Sequence, residues 1–203
     1  MKYYSVDTET TGIFPFEWPN PEAVYEYFTQ GTRRNSIFAK SARAEPRGIA
    51  RPFLVGHYDG EKAETFRIGK CDLAAFKKTC EDESVAKIFH NAYFDIMQLK
   101  MINIEVRGPI HDTMLMLAFI YPGNMMIPLK EICARLLKWD VASMNVIDRW
   151  IQYNTPIYQE KFKRDAGFHD IPEALMDPYF ADDLKMTFEL FQKLIKDFET
   201  GPC

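Results

Sequence analysis

No apolar run in this 203-residue chain reaches the roughly 18 residues needed to span a bilayer. The N-terminus lacks the apolar core of a secretory signal, because Asp7 and Glu9 stand where it would have to lie. Cysteine is scarce. Cys71, Cys80, Cys133 and Cys203 form no CxxC pair and no zinc-ligand spacing, which points to reduced, structural thiols and a cytoplasmic location. Repeats and low-complexity stretches are absent. The chain also lacks the net positive charge of a typical nucleic-acid binder, at −4 overall. That deficit is uneven, however. Arg33, Arg34, Lys40, Arg43, Arg47 and Arg51 face a lone Glu45 between Gly31 and Pro52, so an acidic body carries a basic arm.

The length suits a single domain over residues 1–203, with an insertion at about residues 14–52. That stretch is too long for a simple loop. Around it the pattern predicts strands at Tyr3–Asp7, Phe53–Tyr58 and Ala63–Ile68, the last two joined by an Asp-Gly turn. A helix is expected from Asp72, its cap, to Thr79, then a buried strand over 85–90 and a helix from Ala92 to Met101. A strand over Ile104–His111, broken at Gly108-Pro109, precedes helices at Thr113–Ile120, Leu129–Leu137 and Val146–Lys163. A final helix runs from Pro172 to Phe198, with Leu184, Phe188, Phe191 and Ile195 as its core stripe. A meander followed by alternating helices and strands makes an α/β protein with a mixed sheet.

Three acidic motifs stand out. In "SVDTETTGI" Asp7 and Glu9 project from the same face of a strand, while Val6 and Thr8 face the other layer. Adjacent carboxylates repel unless a proton or a cation lies between them. The second motif is Asp95 in "HNAYFDIMQL", in the first turns of a helix. The third is "DPYFADDL", where Tyr179 and Asp183 share a helix face at i, i+4 and Asp182 is rotated about 100° away. Singly, Asp95 reads as a solvated helix aspartate and Tyr179 and Asp183 as a rim pair. Asp112 reads as a cap for the helix after it, His90 as a strand end, and His57 as part of the meander.

In that order the motifs resemble those of the DEDD exonucleases. "VDTETTG" matches the first motif, "HNAYFD" the second and "YFADD" the Tyr-x-x-x-Asp form of the third. The histidine subtype needs His five residues before the last Asp, where this chain has Pro178. Finer features are most similar to the proofreading 3′-5′ exonuclease domain of phage-type family A DNA polymerases, among them "HDTMLMLAFIYPG" and "IPLKEICARLL". The similarity covers nearly all of the chain outside residues 14–52 and roughly 139–168.

The resemblance implies an RNase H-like (DnaQ-like) fold, a mixed five-stranded sheet flanked by helices. It implies two ions per site, Mg²⁺ or Mn²⁺, held by Asp7, Glu9, Asp95 and Asp183, with Tyr179 as the fifth catalytic residue. Thr8, Ile13, Asn91, Phe94 and Tyr179 are the implied substrate contacts. The implied reaction releases nucleoside 5′-monophosphates from the 3′ end of single-stranded or frayed DNA, as in proofreading beside a polymerase domain or subunit. An RNase D-like enzyme trimming RNA shares the same motifs, and a catalytically dead nucleic-acid platform is a further alternative. The arm from Arg33 to Arg51, with Phe14, Phe16 and Trp18, reads as a strand clamp or as a solvated excursion. Lys161, Lys163 and Arg164 are a smaller basic candidate.

Overall fold

The computed structural model describes residues 1–11, 50–123, 127–140 and 142–201, with the side chains of 142–145 left aside. Ile13, the aromatics Phe14, Phe16 and Trp18, and the basic arm before Arg51 lie outside the described residues. The elements run β1 (Lys2–Thr10), β2 (Pro52–Tyr58), β3 (Ala63–Arg67), α1 (Ala74–Glu81), β4 (Val85–Phe89) and α2 (Ala92–Met101). They continue with β5 (Ile110–Asp112), α3 (Thr113–Ile120), α4 (Leu129–Leu136), α5 (Ala142–Phe162), a 3₁₀ turn (Phe168–Asp170) and α6 (Glu173–Thr200).

The five strands order as β3-β2-β1-β4-β5. β1, β2 and β3 form an antiparallel meander, and β4 and β5 add in parallel on the other side of β1. This is the expected mixed α/β sheet flanked by helices. Chain direction diverges at β1, which is therefore central and open at its C-terminal end. Pairing with β2 carries β1 three residues past the expected Asp7, through Glu9↔Leu54 and, after a register shift, to Thr10↔Pro52. Pairing with β4 ends earlier, at Ser5↔Ile88. The last residues of β1 thus have β2 on one side and a gap on the other.

β5 is shorter than the sequence pattern suggests. Gly108 takes a positive φ of 80°, Pro109 has no N–H to give, and Arg107 N–H turns back to the Cys80 carbonyl at 3.0 Å. Only Ile110–Asp112 is left to pair with β4. α1 starts two residues later than expected, although Asp72 still accepts the Ala74 N–H at 2.9 Å.

Two layers close over the sheet. On one face Val6, Val55 and Phe89 pack with Phe76 and Cys80 of α1 and Leu99 of α2. On the other, Leu54 packs with Met176, Tyr179, Phe180 and Leu184 of α6. The expected stripe on α6 is present, with Phe188 and Phe191 against Ile88 and Ile195 at its edge. The helix is more deeply set than one stripe implies. Met186, Leu190 and Leu194 on a different face pack against Leu117 of α3 and Ile132 and Cys133 of α4. Each such fully buried apolar side chain contributes about 1.5–3 kcal/mol, so α6 is fixed firmly between the sheet and the outer helices.

Gly56 makes this close approach possible. A Cβ there would lie 2.7 Å from the Glu64 carbonyl, 2.7 Å from Phe180 Cε1 and 3.0 Å from Leu184 Cδ1. Gly56 is also the β2 residue opposite Asp7. The small residue thus seats α6 directly beside the acidic end of β1.

Candidate active site

The alternation of β1 divides its residues cleanly between the two layers. Ser5 donates to the Leu184 carbonyl of α6 at 2.7 Å, which marks the face that Asp7 and Glu9 also share. α6 brings Asp183 to the same place. Ligand oxygens of Asp7, Glu9 and Asp183 all lie within 4.8 Å of one another. Asp182, a third of a turn away, is within 4.0 Å of Lys185 instead.

Asp95 approaches from the other layer, through the gap beside β1. With no β4 partner on that side, Thr8 N–H donates to Asp95 Oδ1 at 3.0 Å, and Thr8 Oγ1–H donates to the same oxygen at 2.7 Å. Asp95 meets the site through Thr8 and through its side chain against Asp7, and is not among the three residues whose oxygens converge. Burial first, then the charge of Asp7 and, last, that of Glu9 hold its carboxyl well above the usual carboxylate range. The Thr8–Asp95 bond, which spans 87 residues, was not legible in the sequence.

The carboxylates of the site are buried and repel one another. Burial first, and the Asp183 charge second, push the Asp7 carboxyl up to about 7. Burial also raises Asp183 to about 6, against the pull of Lys130. Glu9 is driven well above the usual carboxylate range by burial and by Asp7 and Asp183. Tyr179 is buried, and desolvation and then Asp183 hold its hydroxyl well above 10, so it stays protonated.

Lys130 of α4 is a residue that the motif reading passed over. It is 7% exposed, donates to Asp183 Oδ2 at 2.7 Å, and sets Nζ 3.4 Å from the centre of the Tyr179 ring. A faint signal existed in "LKEIC". Lys130 lies three residues before Cys133 and so falls on the apolar face of its helix. The other Asp183 oxygen, Oδ1, is buried without a hydrogen-bond partner among the described residues. An orphaned carboxylate oxygen beside two more carboxylates suits a hard divalent cation, which takes oxygen ligands.

Asp112 does more than cap the helix after it. It accepts the N–H groups of Met114 and Leu115 of α3, and also those of Asn91 and Ala92 at the start of α2. Asn91 there adopts a left-handed φ of 78° and is exposed, with Phe94 half-buried one turn on. Of the smaller basic candidate, Arg164 is engaged in a two-pronged pair with Asp170 at 2.5 and 2.7 Å, which commits it to the fold.

A model of the 3′-5′ exonuclease domain of family A DNA polymerases matches residues 1–199. The chain belongs to this 3′-5′ exonuclease family. No curated protein matches it. Among solved structures, Brucella melitensis NrnC superposes with a TM-score of 0.61 at 19% identity, covering 99% of this chain and 76% of NrnC. Escherichia coli RNase D, an exoribonuclease, gives 0.51 at 18% identity, covering 98% of this chain and 40% of that one. M. smegmatis Pol1, in complex with a DNA primer-template and dNTP, gives 0.53 at 14% identity over 74% and 22% of the two chains. At these identities the superpositions show a shared fold, the RNase H-like one expected from the motifs. This exonuclease has no described helix long and apolar enough to cross a membrane.

Proposed function

We propose that this exonuclease hydrolyses the 3′-terminal phosphodiester of single-stranded or frayed DNA and releases nucleoside 5′-monophosphates, in the manner of a proofreader. The observation that carries the reading is the convergence of Asp7, Glu9 and Asp183 oxygens within 4.8 Å beside the orphaned Asp183 Oδ1. Asp7, Glu9, Asp95 and Asp183 would hold two divalent cations, Mg²⁺ or Mn²⁺. When bound, such ions stabilise both the attacking and the leaving oxygen of a phosphodiester. One NrnC structure has bound Mg²⁺.

The chain's own groups do the rest. Tyr179 carries a phenol that stays protonated, and its hydroxyl orients the attacking water as a hydrogen-bonding partner, not as a base. Asp95 is steadied by Thr8 and holds its carboxylate at the gap beside β1. Asn91 and Phe94, at the start of α2, hold the sugar and stack on the terminal base. Stacking tolerates any base, as removal of any terminal nucleotide requires. A polymerase domain or subunit that hands over the 3′ end is the partner this reading implies.

RNA trimming is the second reading. It is favoured by the fold shared with RNase D and with NrnC, one structure of which is bound to pGG. One experiment separates the two. DNA and RNA strands of one sequence, and matched and mismatched primer-templates, are followed with Mg²⁺, with Mn²⁺ and with EDTA. Faster loss of the mismatched DNA end, abolished by EDTA, by Asp7→Ala and by Asp183→Ala, is the expected result. Preference for RNA moves the assignment to trimming, and undiminished activity in either variant removes that residue from the mechanism.

A further inference from the structure

We propose that Lys130 competes with the divalent cation for Asp183 and thereby sets the site's metal affinity. This inference rests on the metal-dependent nuclease reading above. Lys130 is not a surface lysine that happens to reach an acid. Its side chain is 8% exposed and so is that of Asp183. An ammonium taken out of water is costly unless it is paired, and here the pairing is tight: 2.7 Å to Asp183 Oδ2, with the Tyr179 ring 3.4 Å from Nζ.

The backbone that carries Lys130 is fixed as well. Ile132 and Cys133 of the same helix pack into the cluster around Met186 and Leu190, and Cys133 Sγ–H donates to the Met186 carbonyl at 3.7 Å. α4 and α6 are thus held in one register, and the ammonium is delivered to Asp183 by the fold. Its field reaches beyond its direct partner. The Asp7 and Glu9 oxygens lie within 4.8 Å of the carboxylate it pairs with, so its charge stands beside all three.

A cation bound among these oxygens meets that charge at close range. Nζ is 2.7 Å from an oxygen of the carboxylate that would hold the cation, so the two positive charges would be near neighbours. Even a small part of the repulsion between a monovalent and a divalent cation at close range would exceed a factor of ten in affinity. The cation must share Asp183 with Lys130 through Oδ1 or displace it from Oδ2. Either way, Lys130 lowers the affinity that four acids would otherwise give. In return it offsets part of the repulsion within the acidic cluster when no cation is held.

Calorimetric titration of the full chain with Mn²⁺ near pH 8, without nucleic acid, tests this. Lys130→Met keeps the length of the stem and removes the charge, and is expected to bind Mn²⁺ about tenfold tighter. Lys130→Arg keeps the charge and is expected to stay within about threefold of the unmodified protein. Should Lys130→Met not fold, the lysine ammonium signals of the unmodified protein, followed by NMR during Mg²⁺ addition, carry the test. One buried lysine signal should move as the site fills. Unchanged or weaker Mn²⁺ binding by Lys130→Met, tightening by Lys130→Arg, or no moving lysine signal overturns the inference while the nuclease reading stands. If the unmodified protein neither binds Mn²⁺ nor degrades a 3′-labelled strand, the nuclease reading falls and takes this one with it.

Discussion

Replacing Asp7 by Asn should make the metal-free protein more stable at alkaline pH while abolishing its activity. Asp7 shares a face of β1 with Glu9 and meets Asp183 across from α6, and its carboxyl is pushed up from 3.8 to about 7. A carboxyl raised by folding favours the folded state only while it is protonated. The stability it supports is therefore complete below about pH 4 and is lost as the pH rises through about 7. The full shift corresponds to about 4 kcal/mol, at roughly 1.4 kcal/mol per unit. Asp7 keeps some contact with water, and screening brings the usable figure to about 1–2 kcal/mol. Asn retains an oxygen for the Thr8 N–H, which now donates to Asp7 Oδ1 at 2.9 Å, so little else is lost. For a chain of this size about 1–2 kcal/mol moves the melting point by roughly 2–8 °C. Thermal unfolding in EDTA should show Asp7→Asn melting higher at pH 8.5, with the gap closing toward pH 4. With Mn²⁺ added, the unmodified protein should gain stability and the variant should gain little. A variant that melts lower than the unmodified protein at pH 8.5 in EDTA would refute the picture of a self-repelling acidic cluster.

Other consequences concern the helix and hydroxyl that complete the site. Tyr179→Phe removes the hydroxyl but keeps the ring under Lys130, so cleavage should slow by about 10²-fold while Mn²⁺ affinity changes little. An equally large loss of metal binding would make Tyr179 a support for Asp183 and not an orienting group. Gly56→Ala places a methyl against Phe180, Leu184 and the Glu64 carbonyl, which should cost about 1–3 kcal/mol. Because α6 must then move off the sheet with Tyr179 and Asp183, activity at a temperature well below melting should fall too. Full activity in a destabilised Gly56→Ala protein would show that the site tolerates that displacement.

The sequence alone determined what depends on short-range periodicity. Two residues apart on a strand means one face, and four apart on a helix means one face. Asp7 with Glu9 and Tyr179 with Asp183 were therefore already paired before any fold was known, and Asp112 could be placed as a cap on the following helix. Only the tertiary structure decided how these pairs meet. Gly56 lets α6 sit against β1, and the early end of β4 leaves a gap through which Asp95 reaches Thr8, 87 residues away in the chain. Lys130 reaches Asp183 across 53 residues. On its own helix the only sign is that it falls on the apolar face, which names no partner. Its charge matters only because packing removes water from around it, and that removal is a property of neighbours that no local pattern records.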